Sequence, residues 1–256
     1  MTGNLVYEQP LNERVRTFLR LEHLFDALDH RSSGSSEWDS RDALINLLSI
    51  TDILSRSDIK SELIKELERH ASTLDALRTS RGVDQNRLKS ILDNITGLLV
   101  QLKDKQCQPG QLIKHSDLMN SVKQRSSIPG GSCNFDLPGF HFWLNRPHAE
   151  RVQVINRLCQ DLLVIRESMA LALHMIRNST APTTEEAENG FFQKPFDNNL
   201  SCHLVRVVLD QNSPYFPEIS GGKHRFSIRF MEQPDSSARP VQTKNNVNFT
   251  LHCCIL

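Results

Sequence analysis

Arg225-Phe226-Ser227-Ile228-Arg229-Phe230 alternates polar and apolar residues at every step. Successive side chains of a strand point to opposite faces. A period of two therefore describes a strand that sets Phe226, Ile228 and Phe230 on a core and turns Arg225 and Arg229 to solvent. The pattern recurs at the end of the chain, where Val247, Phe249, Leu251 and Cys253 alternate with Asn248, Thr250 and His252. Leu200 to Leu209 is rich in Leu and Val and reads as a further strand. Three strands make a small sheet, and Leu5 to Tyr7 supply a candidate fourth.

Upstream of about residue 180 the period changes from two to that of a helix. Val15, Phe18, Leu21, Phe25 and Leu28 follow the roughly 3.6-residue turn, continuing from Leu11 after Pro10. The Ser- and Gly-rich run from Arg31 to Ser36 ends this helix. A second is expected over Asp39 to Leu54, and a third carries Ile59, Leu63, Leu67, Leu74 and Leu77 on one face. Gly82 reads as a stop and Asp84 as the cap of a fourth, bearing Leu88, Ile91, Leu92, Ile95, Leu98 and Leu99. Shorter helices are expected from Leu112 to about Val122 and from Pro138 to Trp143. A last one runs from Pro147 to about Arg177. Short connections between helices favour antiparallel neighbours. The fold class expected is α+β: an N-terminal antiparallel helical bundle with a small antiparallel β-sheet domain built mainly from the C-terminal segment. Residues 1–9 are expected to join that sheet, 10–178 to form the helical domain, 179–199 a linker or loop, and 200–256 the β domain.

Thirty basic residues balance thirty acidic ones in a chain of 256. A zero net charge argues against a general nucleic-acid binder, which carries a basic excess. No charged start with a long apolar run opens the chain, and no stretch approaches the ~20 apolar residues of a membrane helix. No membrane partner and a cytoplasmic location are therefore expected. Six cysteines without a Cys-x-x-Cys pair read as small reduced residues rather than a disulfide frame.

Signals for chemistry are few. There is no Gly-x-Ser-x-Gly, phosphate-loop or His-Glu-x-x-His motif, so no enzyme and no cofactor are expected. A Cys133–His141 nucleophile and base is the alternative catalytic reading. Cys202-His203 and His252-Cys253-Cys254 match no common zinc spacing, and no metal is expected. The final Cys-Cys-Ile-Leu fits a prenylation pattern but continues an alternating strand. The strand arginines remain. Arg225 and Arg229, with Lys223 on the same parity, present cations on one face, and the planar guanidinium suits carboxylates. Docking of an acidic peptide and an ordinary solvated sheet face both account for them. A nucleic-acid-binding module is the other alternative, but stacking needs aromatics beside the cations, and within this strand Phe and Arg fall on opposite faces. In the first helix Arg16 and Arg20 share a face near Glu13 and Glu22.

Several ordered stretches resemble the ZapD family of FtsZ-associated division proteins. They are Val6 to Arg16 with Phe18 to Glu22, Lys60 to Glu68, and Gly82 to Gln85. Next come Ser127 to Gly131 with Phe135 to Pro138, then His141, Trp143 and Leu144. Pro217 to Gly221 and Arg225 to Met231 follow. The resemblance implies a homodimer that binds the C-terminal tail of FtsZ, a short segment with acidic and apolar residues. It implies cross-linking of protofilaments and recruitment to the midcell ring. Matched position by position, it puts the tail-binding surface on Arg20, Arg56, His141, Arg225 and Arg229, with Lys223 beside them. An arginine is expected where Asp117 stands, and Lys114 or Lys123 would compensate.

Overall fold

The computed structural model describes residues 3–80, 82–196, 202–222, 224–235 and 237–255. Two compact units divide the chain, Met1–Thr17 with Leu173–Leu256 and Phe18–Ala172. The α+β class holds, with helices in the N-terminal region and antiparallel sheets from mainly C-terminal strands.

In the β unit, strand β1 (Asn4–Pro10) pairs antiparallel with β4 (Cys202–Asp210). Strand β8 (Val247–Ile255) lies on the other side of β4, and β2 (Thr183–Ala187) closes the sheet in the order β1-β4-β8-β2. A second sheet runs β3 (Phe191–Pro195), β6 (Arg225–Glu232), β5 (Tyr215–Gly221), with the two-residue β7 (Val241–Gln242) also on β6. Val205, Val207 and Leu209 from β4, Phe226, Ile228 and Phe230 from β6, and Val247, Phe249 and Leu251 from β8 form one buried cluster. The two sheets thus share a core through alternate residues of their central strands.

The expected loop at 179–199 is therefore corrected: it contains β2 and β3. Their sequence looks unlike strand because both lie at sheet edges, where one face meets water and tolerates Thr, Glu and Gln. The turn between them is Asn189-Gly190, with φ of 51° and 70°. Two consecutive left-handed residues make the hairpin turn that Asn-Gly favours. Gly190 is doubly required, because a Cβ there would stand 2.6 Å from the Thr243 carbonyl oxygen.

Asn12 joins β1 to helix α1 (Glu13–Ser33). Its side-chain oxygen accepts from the Val15 N–H at 2.9 Å, satisfying a donor that the first turn leaves unpaired. Leu11 ends up outside the helix, packed against the β core. In the helical unit α2 spans Glu37–Arg56 and opens on a reciprocal capping box between Ser36 and Asp39. Hydrogen bonds from Ser36 hold the Asp39 carboxyl below its ordinary range. Asp58 and Asp84 cap α3 (Ile59–Asp75) and α4 (Gln85–Lys103), which pack on each other across their short connection.

Two expected helices are split. Residues 111–125 form α5 (Gln111–Lys114) and α6 (Asp117–Arg125), because Ser116 accepts from the Met119 N–H and starts a new helix. Pro138–Leu144 is α7. The long last helix becomes α8 (His148–Cys159), a 3-10 turn at Gln160–Leu162, and α9 (Leu163–Arg177). At that turn the Asp161 carboxylate accepts the Leu112 N–H at 2.9 Å, an interaction a continuous pattern does not announce.

Arg151 of α8 ties the start of α2 in place. It donates to the Ser36 carbonyl and Ser40 hydroxyl at 2.9 Å each and to the Ser35 carbonyl at 2.6 Å, while only 5% exposed. Arg151→Ala should cost the helical unit about 2–3 kcal/mol, since it deletes charged hydrogen bonds and strands a buried hydroxyl. Urea unfolding followed by tryptophan emission checks this, because Trp38 and Trp143 both lie in that unit.

Candidate functional site: a cationic sheet face

The site is built on β6. Phe226, Ile228 and Phe230 are at most 1% exposed, so the strand cannot rotate, and Arg225 and Arg229 are held outward on one face. The neighbouring strands fill out that face. Arg229 stands opposite Phe191 of β3 and Glu218 of β5, and Arg225 opposite Pro195. Directly opposed residues share a face, so the surface carries Arg225, Ser227 and Arg229 between an apolar edge and one carboxylate. Phe191 is 40% exposed. Neither arginine makes an ion pair among the described residues. A cation left in water at a fixed position keeps its capacity for an incoming carboxylate.

This corrects one expectation. Aromatics and cations do segregate within β6, but not across the sheet, because β3 returns Phe191 to the side of Arg229. Strand pairing created that neighbour, and no spacing within β6 signals it.

The other expected positions lie in the helical unit. Arg20 on α1, Arg56 in the last turn of α2, and His141 on α7 are all exposed. The His141 carbonyl accepts from the Asn145 side chain at 2.9 Å. Lys114, at the end of α5, is exposed. Lys123 is already engaged, 2.8 Å from Asp52, which makes it the weaker substitute for the missing arginine. Asp117 occupies the first turn of α6, where a carboxylate suits the helix dipole and a cation would oppose it. Lys223 lies outside the described residues. One strand brings Arg225 and Arg229 together, whereas Arg20, Arg56, His141, Lys114 and Lys123 come from five different helices.

Among the described residues no group of three His, Cys, Asp or Glu is placed to hold a metal ion, and no helix is long and apolar enough to cross a membrane. The fold and this strand define an α+β protein that presents two unpaired arginines on a rigid sheet. A family model described as ZapD, cell division protein, matches residues 19–229. Cell division protein ZapD of Methylococcus capsulatus is 41% identical over 256 residues, covering the whole of both chains. The ZapD of Azoarcus sp. is 33% identical over 98% of this chain and 99% of that protein. That of Cupriavidus pinatubonensis is 35% identical over the same shares. The chain belongs to the ZapD family of cell division proteins.

Proposed function

We propose that this chain is a non-catalytic adaptor that binds the C-terminal tail of FtsZ and, as a homodimer, cross-links FtsZ filaments at the cytoplasmic midcell ring. The observation that carries the reading is the unpaired Arg225–Arg229 pair on a rigid strand beside the exposed Phe191. A short tail with acidic and apolar residues needs such a combination. Carboxylates meet guanidinium groups, and an apolar side chain meets the ring. Arg20, Arg56 and His141 are the helical residues assigned to the same task, with Lys114 as the additional cation and Lys223 as the sixth position. A dimer carries two such sites, so modest affinity at each becomes strong filament binding through effective concentration.

Sedimentation of FtsZ polymers tests this, with full-length FtsZ and FtsZ lacking its tail. Extra pelleting should occur only with full-length FtsZ and should weaken as salt rises. Arg225→Glu and Arg229→Glu should each weaken binding roughly tenfold or more, since a charged hydrogen bond of about 1.5–3 kcal/mol becomes a repulsion. Equal pelleting with tailless FtsZ would overturn the reading. The exposed Phe191 makes a nucleic-acid gel shift at low salt a useful second arm, and no shift is expected.

A further inference from the structure

Cys202 opens β4 and Cys253 lies near the end of the adjacent β8. In the register Cys202 faces Ile255 and Val205 faces Cys253, with a shift between Cys202 and Leu204. Ile255 and Cys253 are two residues apart, so Cys202 and Cys253 share a face of the sheet. Both line a cavity of about 290 Å³ with Thr183, Lys194, Phe226 and Leu251. Both pack against the same buried β cluster, and the Cys202 thiol donates to the Leu204 carbonyl at 3.6 Å. Cys254, on the opposite face, turns its thiol to the Arg177 carbonyl at 3.9 Å.

The remaining chemistry separates these two thiols from Cys159 and Cys254. The neighbouring Cys202 thiol and the Lys194 ammonium lower the Cys253 thiol against the cost of burial. Cys202 is raised, by its neighbour Cys253 and by burial. Burial pushes Cys159 and Cys254 up to about 11. A thiolate is the nucleophile in disulfide exchange, so the cavity holds one activated sulfur and one reserve thiol beside it. Cys202 begins β4 beside the register shift, where the ladder is already interrupted.

We propose that Cys253 and Cys202 form a thiol–disulfide site for a small carboxylate-bearing disulfide, with Cys253 the attacking sulfur and Cys202 the resolving one. The Cys253 thiolate attacks one sulfur of the small disulfide, forming a mixed disulfide and expelling one small thiolate, which takes up the proton Cys253 lost. Cys202 then gives up its proton and attacks the Cys253 sulfur. The second small thiol leaves with that proton, and a Cys202–Cys253 disulfide remains. Two protein thiols are oxidised and one small disulfide is reduced to two thiols. The Lys194 ammonium lines the cavity while paired with Glu185 at 3.1 Å, so a carboxylate on the small disulfide would share that cation with Glu185.

The test incubates the full chain with glutathione disulfide and maps the products by non-reducing digestion and mass spectrometry. The expected product has lost two hydrogens and yields a peptide joining Cys202 to Cys253, reversed by dithiothreitol. Cys202→Ser should accumulate a single glutathionyl adduct on Cys253, and Cys253→Ser should leave Cys202 unmodified. Limiting iodoacetamide on the wild-type chain gives a measurement independent of the variants, and Cys253 should be alkylated first. A stable wild-type adduct without the cross-link, a link to another cysteine, no reaction, or first alkylation elsewhere would each overturn the proposal.

Discussion

Phe230→Ala is expected to destabilise the β unit by about 3–5 kcal/mol, the range for truncating a buried phenylalanine. Phe230 is fully buried, its ring centroid 5.0 Å from that of Phe249, which in turn meets Phe192 edge-on at 5.2 Å. Truncation removes the ring at one end of this stack, from between the two sheets, which cannot collapse without breaking their own ladders. The backbone of Phe230 is fixed separately. Its N–H donates to the Gly190 carbonyl at 2.8 Å and its carbonyl accepts from Thr243 at 3.0 Å. Phe230→Leu should lose less, about 1–2 kcal/mol, because most of the volume is kept. Urea unfolding read by tyrosine absorption checks both, since Tyr7 and Tyr215 lie in the β unit. The pair also separates stability from recognition. On the proposed reading, Phe230→Ala should bind FtsZ wherever it remains folded, whereas Arg229→Glu should bind it roughly tenfold or more weakly at undiminished stability.

Glu8→Ala should cost about 2–4 kcal/mol through a different mechanism. Glu8 on β1 receives two hydrogen bonds from Arg177, at 2.8 and 2.7 Å, and one from Arg206 of β4 at 2.7 Å. The three side chains are between 17% and 23% exposed. Removing the carboxylate leaves two half-buried guanidinium groups facing each other, and an uncompensated charge costs more than the pair itself contributes. Partial exposure places the loss below that of a fully buried pair. Glu8→Gln should recover part of it by keeping an acceptor. A melt at high salt should narrow the gap between Glu8→Ala and wild type, because screening relieves the repulsion. No narrowing would show that packing, not charge, dominates at this position.

Legibility in the sequence followed the range of the interactions. Alternation at Arg225–Phe230 and Val247–Cys253 and the 3.6-residue stripe from Val15 to Leu28 identified strands and helices, because a single buried face imprints its period on the chain. Asp84 as a cap was equally legible, since the bond it makes reaches only two and three residues ahead. The tight turn at Asn189-Gly190 is harder to read although its signal is local, because its flanking strands lie at sheet edges and lack an apolar rhythm. The split at Asp161 was not legible at all, for its partner is Leu112.

The candidate site divides the same way. Residue order alone decides that Arg225 and Arg229 share a face and that three apolar neighbours anchor them, because side-chain alternation is a property of any strand. Strand pairing decides that Phe191 and Glu218 flank Arg229, that Cys202 and Cys253 share a face, and that Glu8 stands opposite Arg206, while the end of helix α9 brings Arg177 to the same carboxylate. Helix packing decides in turn that Glu66 and His70 lie buried 3.3 Å apart on α3, where helical spacing supplies the contact but only packing supplies the burial. Local periodicity is written residue by residue. Which sheet edge meets which, and which charges lose their water, depends on contacts between segments far apart in the chain, and those exist only once it has folded.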